Sequence, residues 1–177
     1  MQLEQVRQIL EHVEKESNGD FKCYVSGGYL RDIMNGITPK DVDVMVIPTI
    51  EDFFEWHDLE EVLDSTEFHC ERSLRDECKY MSDMKERGVC GLFLGEYNSV
   101  EVQFILYNNV LTQQELTEDM DINICQISMA SDGTIVESDN FVEGFATNKL
   151  TIHHEYDEAR AEKRIERMIE KYPHFKY

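Results

Sequence analysis

Hydrophobic positions recur with two different spacings at the start of the chain. Apolar residues follow each other every three or four positions over 3–15, which predicts an amphipathic helix that ends before Asn18-Gly19. Phe21, Cys23 and Val25 then occupy every second position, which predicts a strand. The chain therefore begins with a helix followed by a strand.

Turn and capping residues, together with the same two spacings, predict the remaining elements. Thr112-Gln113-Gln114-Glu115 matches a capping box, in which the threonine caps a helix and the glutamate reaches back to it. Ser131-Asp132-Gly133-Thr134 is typical of a turn between strands. Further elements are predicted as a helix over 29–35, a strand over 41–47, a helix over 51–64, strand residues over 68–71, two paired strands over 89–95 and 100–107, and a final helix over 155–171. We therefore expect an α+β fold.

The charge of the chain limits its partners. Its 177 residues contain 17 Lys and Arg against 37 Asp and Glu, a formal net charge of −20. This field repels nucleic acid, so a polyanion must meet a local positive patch or bridging metal ions. No run approaches the ~20 apolar residues of a membrane span, and the N-terminus lacks a signal-peptide pattern. Five widely spaced cysteines contain no Cys-x-x-Cys pair, which indicates free thiols and a cytoplasmic protein.

Two carboxylates within an apolar strand are the first candidate for chemistry. Asp41 and Asp43 are two residues apart, so they share one face of the strand over 41–47. Two like charges on one face favour a cation such as Mg²⁺, although an Asp-x-Asp pair at a hydrated strand end is the commoner case. Gly27-Gly28 precedes them at a strand-to-helix turn, where backbone N–H groups can approach a phosphate, and Arg31 follows one turn later.

These motifs resemble a known family. Ser26-Gly27-Gly28-Tyr29-Leu30-Arg31-Asp32 followed by Lys40-Asp41-Val42-Asp43 is similar to the head domain of the CCA-adding enzyme and bacterial poly(A) polymerase family, within the polymerase-beta-like nucleotidyltransferases. Glu101-Val102-Gln103 resembles the later strand that brings a third carboxylate to the metals. Asp119-Met120-Asp121-Ile122-Asn123 resembles the family's Arg-Arg-Asp-Phe-Thr-Ile-Asn segment. The resemblance runs from about Phe21 to Leu150.

The resemblance implies a fold and a site. It implies a nucleotidyltransferase fold with a mixed sheet flanked by helices over 1–150, and a C-terminal helix within 151–177 packed on the same domain. It assigns Asp41 and Asp43 to metal binding and, with Glu101, to catalysis. The nucleotide would be bound by the following residues: Ser26, Gly27, Gly28, Arg31, Lys40 and Asn123.

The sequence also departs from the family pattern. Thr117-Glu118 replaces the paired arginines, and Gln103 stands where a third Asp is expected. Glu101 is on the same strand face as Gln103 and can substitute, or it is an exposed acid near a turn. The family's neck, body and tail domains would be absent from a chain that ends at Tyr177, so CCA addition templated by the protein is not expected.

The predicted C-terminal helix carries a basic stripe. Its residues, spaced by four, three and four positions, are Arg160, Arg164, Arg167 and Lys171. Like charges at this spacing destabilise an isolated helix, so a group outside the helix should neutralise them. Two candidates are the acidic surface of this protein and the phosphates of a nucleotide or an RNA end.

Two functions follow from the motifs. The first is a nucleotidyltransferase that uses Mg²⁺ or Mn²⁺ to move a nucleoside monophosphate from an NTP to an RNA 3′ end, a protein or a small molecule. The second is a non-catalytic module that keeps the fold and binds a nucleotide or a partner. Neither a membrane nor DNA is an expected partner.

Overall fold

The fold is that of a computed structural model, which describes residues 1–50, 63, 71–72, 88–97, 99–153 and 158–177. The helices are α1 (Leu3–Glu16), α2 (Gly28–Met34), α3 (Gln113–Glu118), α4 (Asp139–Thr147) and α5 (Glu158–Lys171), with a 3₁₀ turn at Asn123–Cys125. The strands are β1 (Phe21–Ser26), β2 (Asp41–Pro48), β3 (Glu71–Arg72), β4 (Val89–Tyr97), β5 (Val100–Tyr107), β6 (Ile127–Ala130) and β7 (Ile135–Glu137). None of the described helices is long and apolar enough to cross a membrane.

The seven strands form one sheet in the order β3-β4-β5-β2-β1-β6-β7. β2 runs parallel to β5, whereas all other neighbouring strands pair antiparallel, so the sheet is mixed. This confirms the predicted α+β class and the mixed sheet flanked by helices. β2 lies between β5 and β1, and its residues after Asp43 are buried while Asp41 is exposed. The charged residues of β2 therefore lie at its start, and the rest of the strand is in the core.

Two apolar clusters hold helices against the sheet. α1 buries Val6, Ile9 and Val13 in the cluster that includes the inner residues of β1 and β2. The second cluster contains Ile165 and Met168 of α5. Its other buried members are Ile122, Ile124, Cys125, Leu150, Tyr172 and Phe175. The second cluster packs α5 beside the 3₁₀ turn, which brings the C-terminal helix close to the strand ends that carry the predicted motifs.

Most of the predicted elements are present with small changes at their ends. The capping box at Thr112 is confirmed, because its hydroxyl accepts from the Glu115 N–H and the Glu115 carboxylate accepts from the Thr112 N–H. The predicted helix over 51–64 lies outside the described residues apart from Leu63, and the strand over 68–71 retains only Glu71 there. α4 has no counterpart among the predicted elements.

Candidate active site

The start of β2 places two predicted carboxylates beside a third. Asp41 pairs in parallel register with Glu101 of β5, and Asp43 pairs with Gln103. Because residues paired in register share a face and alternate residues do as well, all four side chains lie on one face of the sheet. Gln103 Nε2 donates a hydrogen bond to Glu101 Oε1 at 2.7 Å. Glu101 therefore lies on the same face as Asp41 and Asp43, and its role as a substitute for the third Asp expected at Gln103 stays a prediction.

Glu96 extends this row of carboxylates and was not singled out from the sequence. It pairs antiparallel with Glu101, so Glu96, Glu101 and Asp41 lie side by side on three neighbouring strands. All three are exposed. Like charges that face each other directly across strands are destabilising. The sequence predicted the hairpin of β4 and β5, but only the register of its two strands shows that Glu96 faces Glu101.

Asp43 has the most perturbed acidity in this group. The half-buried Asp43 has its pKa raised to about 6, mainly by burial and then by the charge of Asp41, and Glu101 acts in the same direction. Arg31 and Arg164 oppose the shift, so both cations lie near enough to act on Asp43. The two arginines leave a net excess of negative charge at Asp43, which a bound cation would relieve.

The carboxylates fit Mg²⁺ as a donor set. Hard oxygen ligands are those that Mg²⁺ prefers, and it is usually bound by one or two carboxylates together with substrate phosphates. Among the residues that the structure describes, no three His, Cys, Asp or Glu side chains form a group that could hold a metal ion alone. Asp41 and Asp43 therefore suit an ion shared with a triphosphate.

The glycine turn before α2 differs in detail from the predicted phosphate cradle. Gly27 has φ +67°, a conformation that favours glycine, and an added Cβ would meet nothing closer than 3.9 Å, so conformation and not space selects glycine here. The Gly27 N–H donates to the Ile127 carbonyl at 3.1 Å, and the buried Ser26 hydroxyl donates to the same carbonyl at 3.0 Å. Both groups tie the turn to β6, and direct phosphate contacts by Ser26, Gly27 and Gly28 stay predictions.

Arg31 is bound inside the protein. Its Nε and Nη2 donate to Asp32 Oδ1 at 3.2 and 2.9 Å, its Nε also donates to the Tyr172 hydroxyl at 2.7 Å, and its Nη1 contacts Cys125 Sγ at 3.0 Å. Tyr172 and Lys171 of the C-terminal segment also donate to Asp32. All three guanidinium nitrogens are thus used within the protein, and a direct triphosphate contact by Arg31 stays a prediction.

Asn123 likewise serves the packing of the chain. Its Nδ2 donates to the Lys149 carbonyl at 2.8 Å and its Oδ1 accepts from the Thr151 N–H at 3.0 Å, while 2% of its surface is exposed. The amide therefore holds the 3₁₀ turn against the segment that follows α4. Lys40, in contrast, is exposed next to Asp41. Nucleotide contacts by Asn123 and Lys40 stay predictions.

Arg164 of α5 reaches this part of the molecule and was not among the predicted site residues. Its Nη1 contacts Asp121 Oδ2 at 2.5 Å, with side-chain exposures of 24% and 15%. Asp121 follows Met120, whose sulfur lies 3.9 Å from the Cβ position of Gly27. Carboxylates of the protein itself thus pair with two residues of the basic stripe, Asp121 with Arg164 and the buried Asp32 with Lys171. The basic stripe was the signal in the sequence.

Comparison with solved structures identifies the fold. The Thermotoga maritima CCA-adding enzyme complexed with tRNA matches 93% of the chain at 16% identity with a TM-score of 0.63. A CCA-adding enzyme with CTP matches 93% at 15% identity and 0.63. A tRNA nucleotidyltransferase complexed with a primer tRNA and an incoming ATP analog matches 84% at 15% identity and 0.56. No family model and no curated protein matches the sequence.

These matches confirm the predicted nucleotidyltransferase fold. Within that class, the structure is similar to the CCA-adding and tRNA nucleotidyltransferases, as the motifs around Gly27 and Asp41 predicted. The match covers 36%, 37% and 39% of those three chains, so this chain spans little more than a third of their length.

Proposed function

We propose that this protein is a metal-dependent nucleotidyltransferase, which moves a nucleoside monophosphate from an NTP to an acceptor hydroxyl and releases pyrophosphate. The observation that carries this proposal is the carboxylate group at the start of β2. Asp41 and Asp43 share a face with Glu101, and burial together with the charge of Asp41 raises the pKa of Asp43 to about 6. This arrangement stands in a nucleotidyltransferase fold, next to the Gly27 turn.

In the proposed reaction, the acceptor hydroxyl loses its proton to solvent and its oxygen forms a bond to the α-phosphorus. The bond from that phosphorus to the bridging oxygen breaks, and the pyrophosphate takes the electron pair. Asp41 and Asp43 would hold Mg²⁺ or Mn²⁺, which supplies charge neutralisation and a lower pKa of the attacking hydroxyl. Glu101 adds a carboxylate beside Asp41. The catalytic carboxylates of the proposal are therefore Asp41, Asp43 and Glu101.

The nucleotide would lie between these carboxylates and the Gly27 turn. Gly28 begins α2 directly after the turn, and Arg31 contributes positive charge from behind it while bonded to Asp32. Ser26 shapes the turn through Ile127. The remaining predicted nucleotide-binding residues are Asn123 and the exposed Lys40. Asn123 would contribute by holding the 3₁₀ turn in place through its hydrogen bond to the Lys149 carbonyl.

Three acceptor classes fit the proposal. Solved structures with a similar fold hold tRNA, CTP or an ATP analog, which supports NTP as one substrate and an RNA end as one acceptor. The net charge of −20 opposes a long RNA and favours a protein hydroxyl or a small molecule. We place the reaction in the cytoplasm, since Cys23, Cys90 and Cys125 are free thiols.

A non-catalytic nucleotide-binding module is the second candidate. It is favoured by the internal bonds of Arg31 and by Thr117-Glu118 at the place of the family's arginine pair. Both features reduce the positive charge that would face a triphosphate. Such a module would bind NTP with Mg²⁺ but form no product.

The experiment is transfer of label from each of the four α-labelled NTPs with Mg²⁺ or Mn²⁺. Cellular RNA, cell protein extract and small-molecule extract serve as acceptors in separate reactions. We expect label only with the wild-type protein and with the matched control Glu166→Ala/Glu170→Ala, which removes two exposed carboxylates of α5. Asp41→Ala/Asp43→Ala should abolish it. Transfer that persists in this double variant contradicts the site, and NTP binding without transfer favours the binding module.

A further inference from the structure

The positive charge at the candidate site comes in part from a helix that follows the sheet. Arg164 of α5 forms an ion pair with Asp121, which directly follows Met120, and the Met120 sulfur lies 3.9 Å from the Cβ position of Gly27. Arg31 has its three guanidinium nitrogens bound to Asp32, Tyr172 and Cys125. Arg164 has a different environment, because among the described residues it forms its ion pair with one carboxylate, that of Asp121.

The contact between Arg164 and Asp121 leaves donors for a second anion. A guanidinium carries five N–H groups, and within the described part of the chain the ion pair of Arg164 uses Nη1, which lies 2.5 Å from Asp121 Oδ2. About a quarter of the Arg164 side chain is exposed, at 24%, so an incoming anion can reach it. Guanidinium groups bind phosphate oxygens in bidentate geometry, which makes a phosphate a stronger partner than one carboxylate oxygen.

Asp121, the partner of Arg164, belongs to a segment that lies beside the glycine turn. Asp121 follows Met120, which lies beside Gly27, and the Asp121 carbonyl accepts from the His153 N–H at 2.7 Å. The isolated bridge between Ile122 and Ile152 fixes the same segment. Arg164 is therefore paired with the segment that lies beside the Gly27 turn.

We infer that Arg164 binds the terminal phosphates of the NTP and that Asp121 holds it in place when no nucleotide is bound. This inference rests on the proposed function and names a residue of that site which lies outside the motifs around Gly27 and Asp41. In the nucleotide-bound protein, Arg164 exchanges Asp121 for a phosphate oxygen. It thereby supplies positive charge that Thr117-Glu118 does not provide.

The test measures NTP affinity by calorimetry with Mg²⁺ and without an acceptor. Each of the four NTPs is titrated first, and the one that binds best is compared with its monophosphate. Arg164→Gln should weaken NTP binding by about 10- to 100-fold, which is the range for a lost charge-assisted contact, and should leave the monophosphate nearly unaffected. Arg167→Gln, an exposed arginine on the same helix, is the matched control and should bind as the wild type does.

Asp121→Asn separates this role from a purely structural ion pair. Removal of the carboxylate frees Arg164 and takes a negative charge from the site, so NTP affinity should rise by roughly two- to tenfold. The same substitution in the Arg164→Gln background should give no gain. The inference requires that Arg164→Gln lowers NTP affinity and that Asp121→Asn raises it. If the ion pair were only structural, both substitutions would lower NTP affinity or both would leave it unchanged.

The outcomes distinguish this inference from the proposed function. No NTP binding by the wild-type protein contradicts the proposed function and the inference together. If the wild type binds NTP and Arg164→Gln leaves that affinity unchanged, only the inference is contradicted. The same holds if Arg164→Gln weakens the binding of NTP and of the monophosphate equally. If Arg164→Gln does not fold by circular dichroism, Arg164→Lys replaces it. That variant keeps the charge but loses bidentate geometry, and unchanged NTP affinity in it also contradicts the inference.

Discussion

Two aspartates near the Gly27 turn have opposite electrostatic environments. Burial alone would raise the pKa of Asp32, but hydrogen bonds from Lys171 and Tyr172 and the charge of Arg31 lower it below its ordinary value. Burial also raises the pKa of Asp43, and there Asp41 and Glu101 add to the shift. Asp32 accepts hydrogen bonds from Arg31, Lys171 and Tyr172, whereas at Asp43 burial and the charges of Asp41 and Glu101 outweigh those of Arg31 and Arg164.

The difference separates a structural aspartate from a candidate catalytic one. Asp32 joins α2 to the C-terminal segment, because its partners Lys171 and Tyr172 lie at and just beyond the end of α5. Arg31 and Arg164 compensate the charge of Asp43 only in part, and this costs stability unless a cation binds. Carboxylates with raised pKa values are found more often at functional sites, where stability is given up for chemistry.

Asp32→Asn should give the largest change in stability. The substitution removes the negative charge that faces the buried Arg31, and loss of one partner from a buried ion pair typically costs about 3–5 kcal/mol. We expect the free energy of unfolding, measured in urea at pH 7, to fall by about 3 kcal/mol. Glu170→Gln, at an exposed carboxylate of α5, should leave it unchanged. Equal stability of Asp32→Asn and the wild type would show that Asp32 is not the link between α2 and α5.

Asp43→Asn should have the opposite effect in the absence of metal. A shift of the pKa from 3.8 to about 6 corresponds to about 3 kcal/mol, and solvent at this half-buried side chain reduces the figure to about 2 kcal/mol. We therefore expect the variant to unfold at a higher urea concentration than the wild type at pH 7.5 in EDTA.

The same variant gives a pH dependence with a defined sign. The folded protein binds the Asp43 proton more tightly than the unfolded chain, so the wild type loses stability as pH rises from about 4 to about 6. The gain from Asp43→Asn should be absent at pH 4 and complete above pH 6. A gain of equal size at both ends of this range would mean that packing, and not charge, separates the two proteins.

Lys171→Met should give the smallest effect in this series. Lys171 donates to Asp32 Oδ2 at 2.5 Å, but its side chain is 34% exposed, so water screens the pair and replaces part of the bond. We expect a loss of at most about 0.5 kcal/mol in the same urea titration, with Arg31 and Tyr172 still bound to Asp32. A loss as large as that of Asp32→Asn would show that Lys171, and not Arg31, balances the charge.

Local patterns predicted the elements whose stability is local. Alternation placed β1 and β2, and the capping box placed the start of α3 at Thr112. α4 escaped prediction because Asn140, Val142 and Gly144 are poor helix formers. Its glycine is explained by packing: a Cβ at Gly144 would lie 2.1 Å from Asn123 Nδ2, so the helix needs the bare backbone there. Ser138, which caps α4, was the available signal.

Within the candidate site, local sequence patterns are sufficient to predict which carboxylates share a strand face and where the glycine turn lies. Asp41 and Asp43 share a face because side chains alternate along any strand, and Gly27 marks a backbone conformation that other residues rarely adopt.

Contacts between side chains of different helices and strands depend on how the whole chain packs. The register of β5 places Glu101 opposite Asp41. The packing of α5 brings Arg164 to Asp121, and the side chain of Arg31 donates hydrogen bonds to Asp32 and Tyr172. These contacts join residues far apart in the chain, and they are set by the packing of whole apolar faces, which no local pattern encodes.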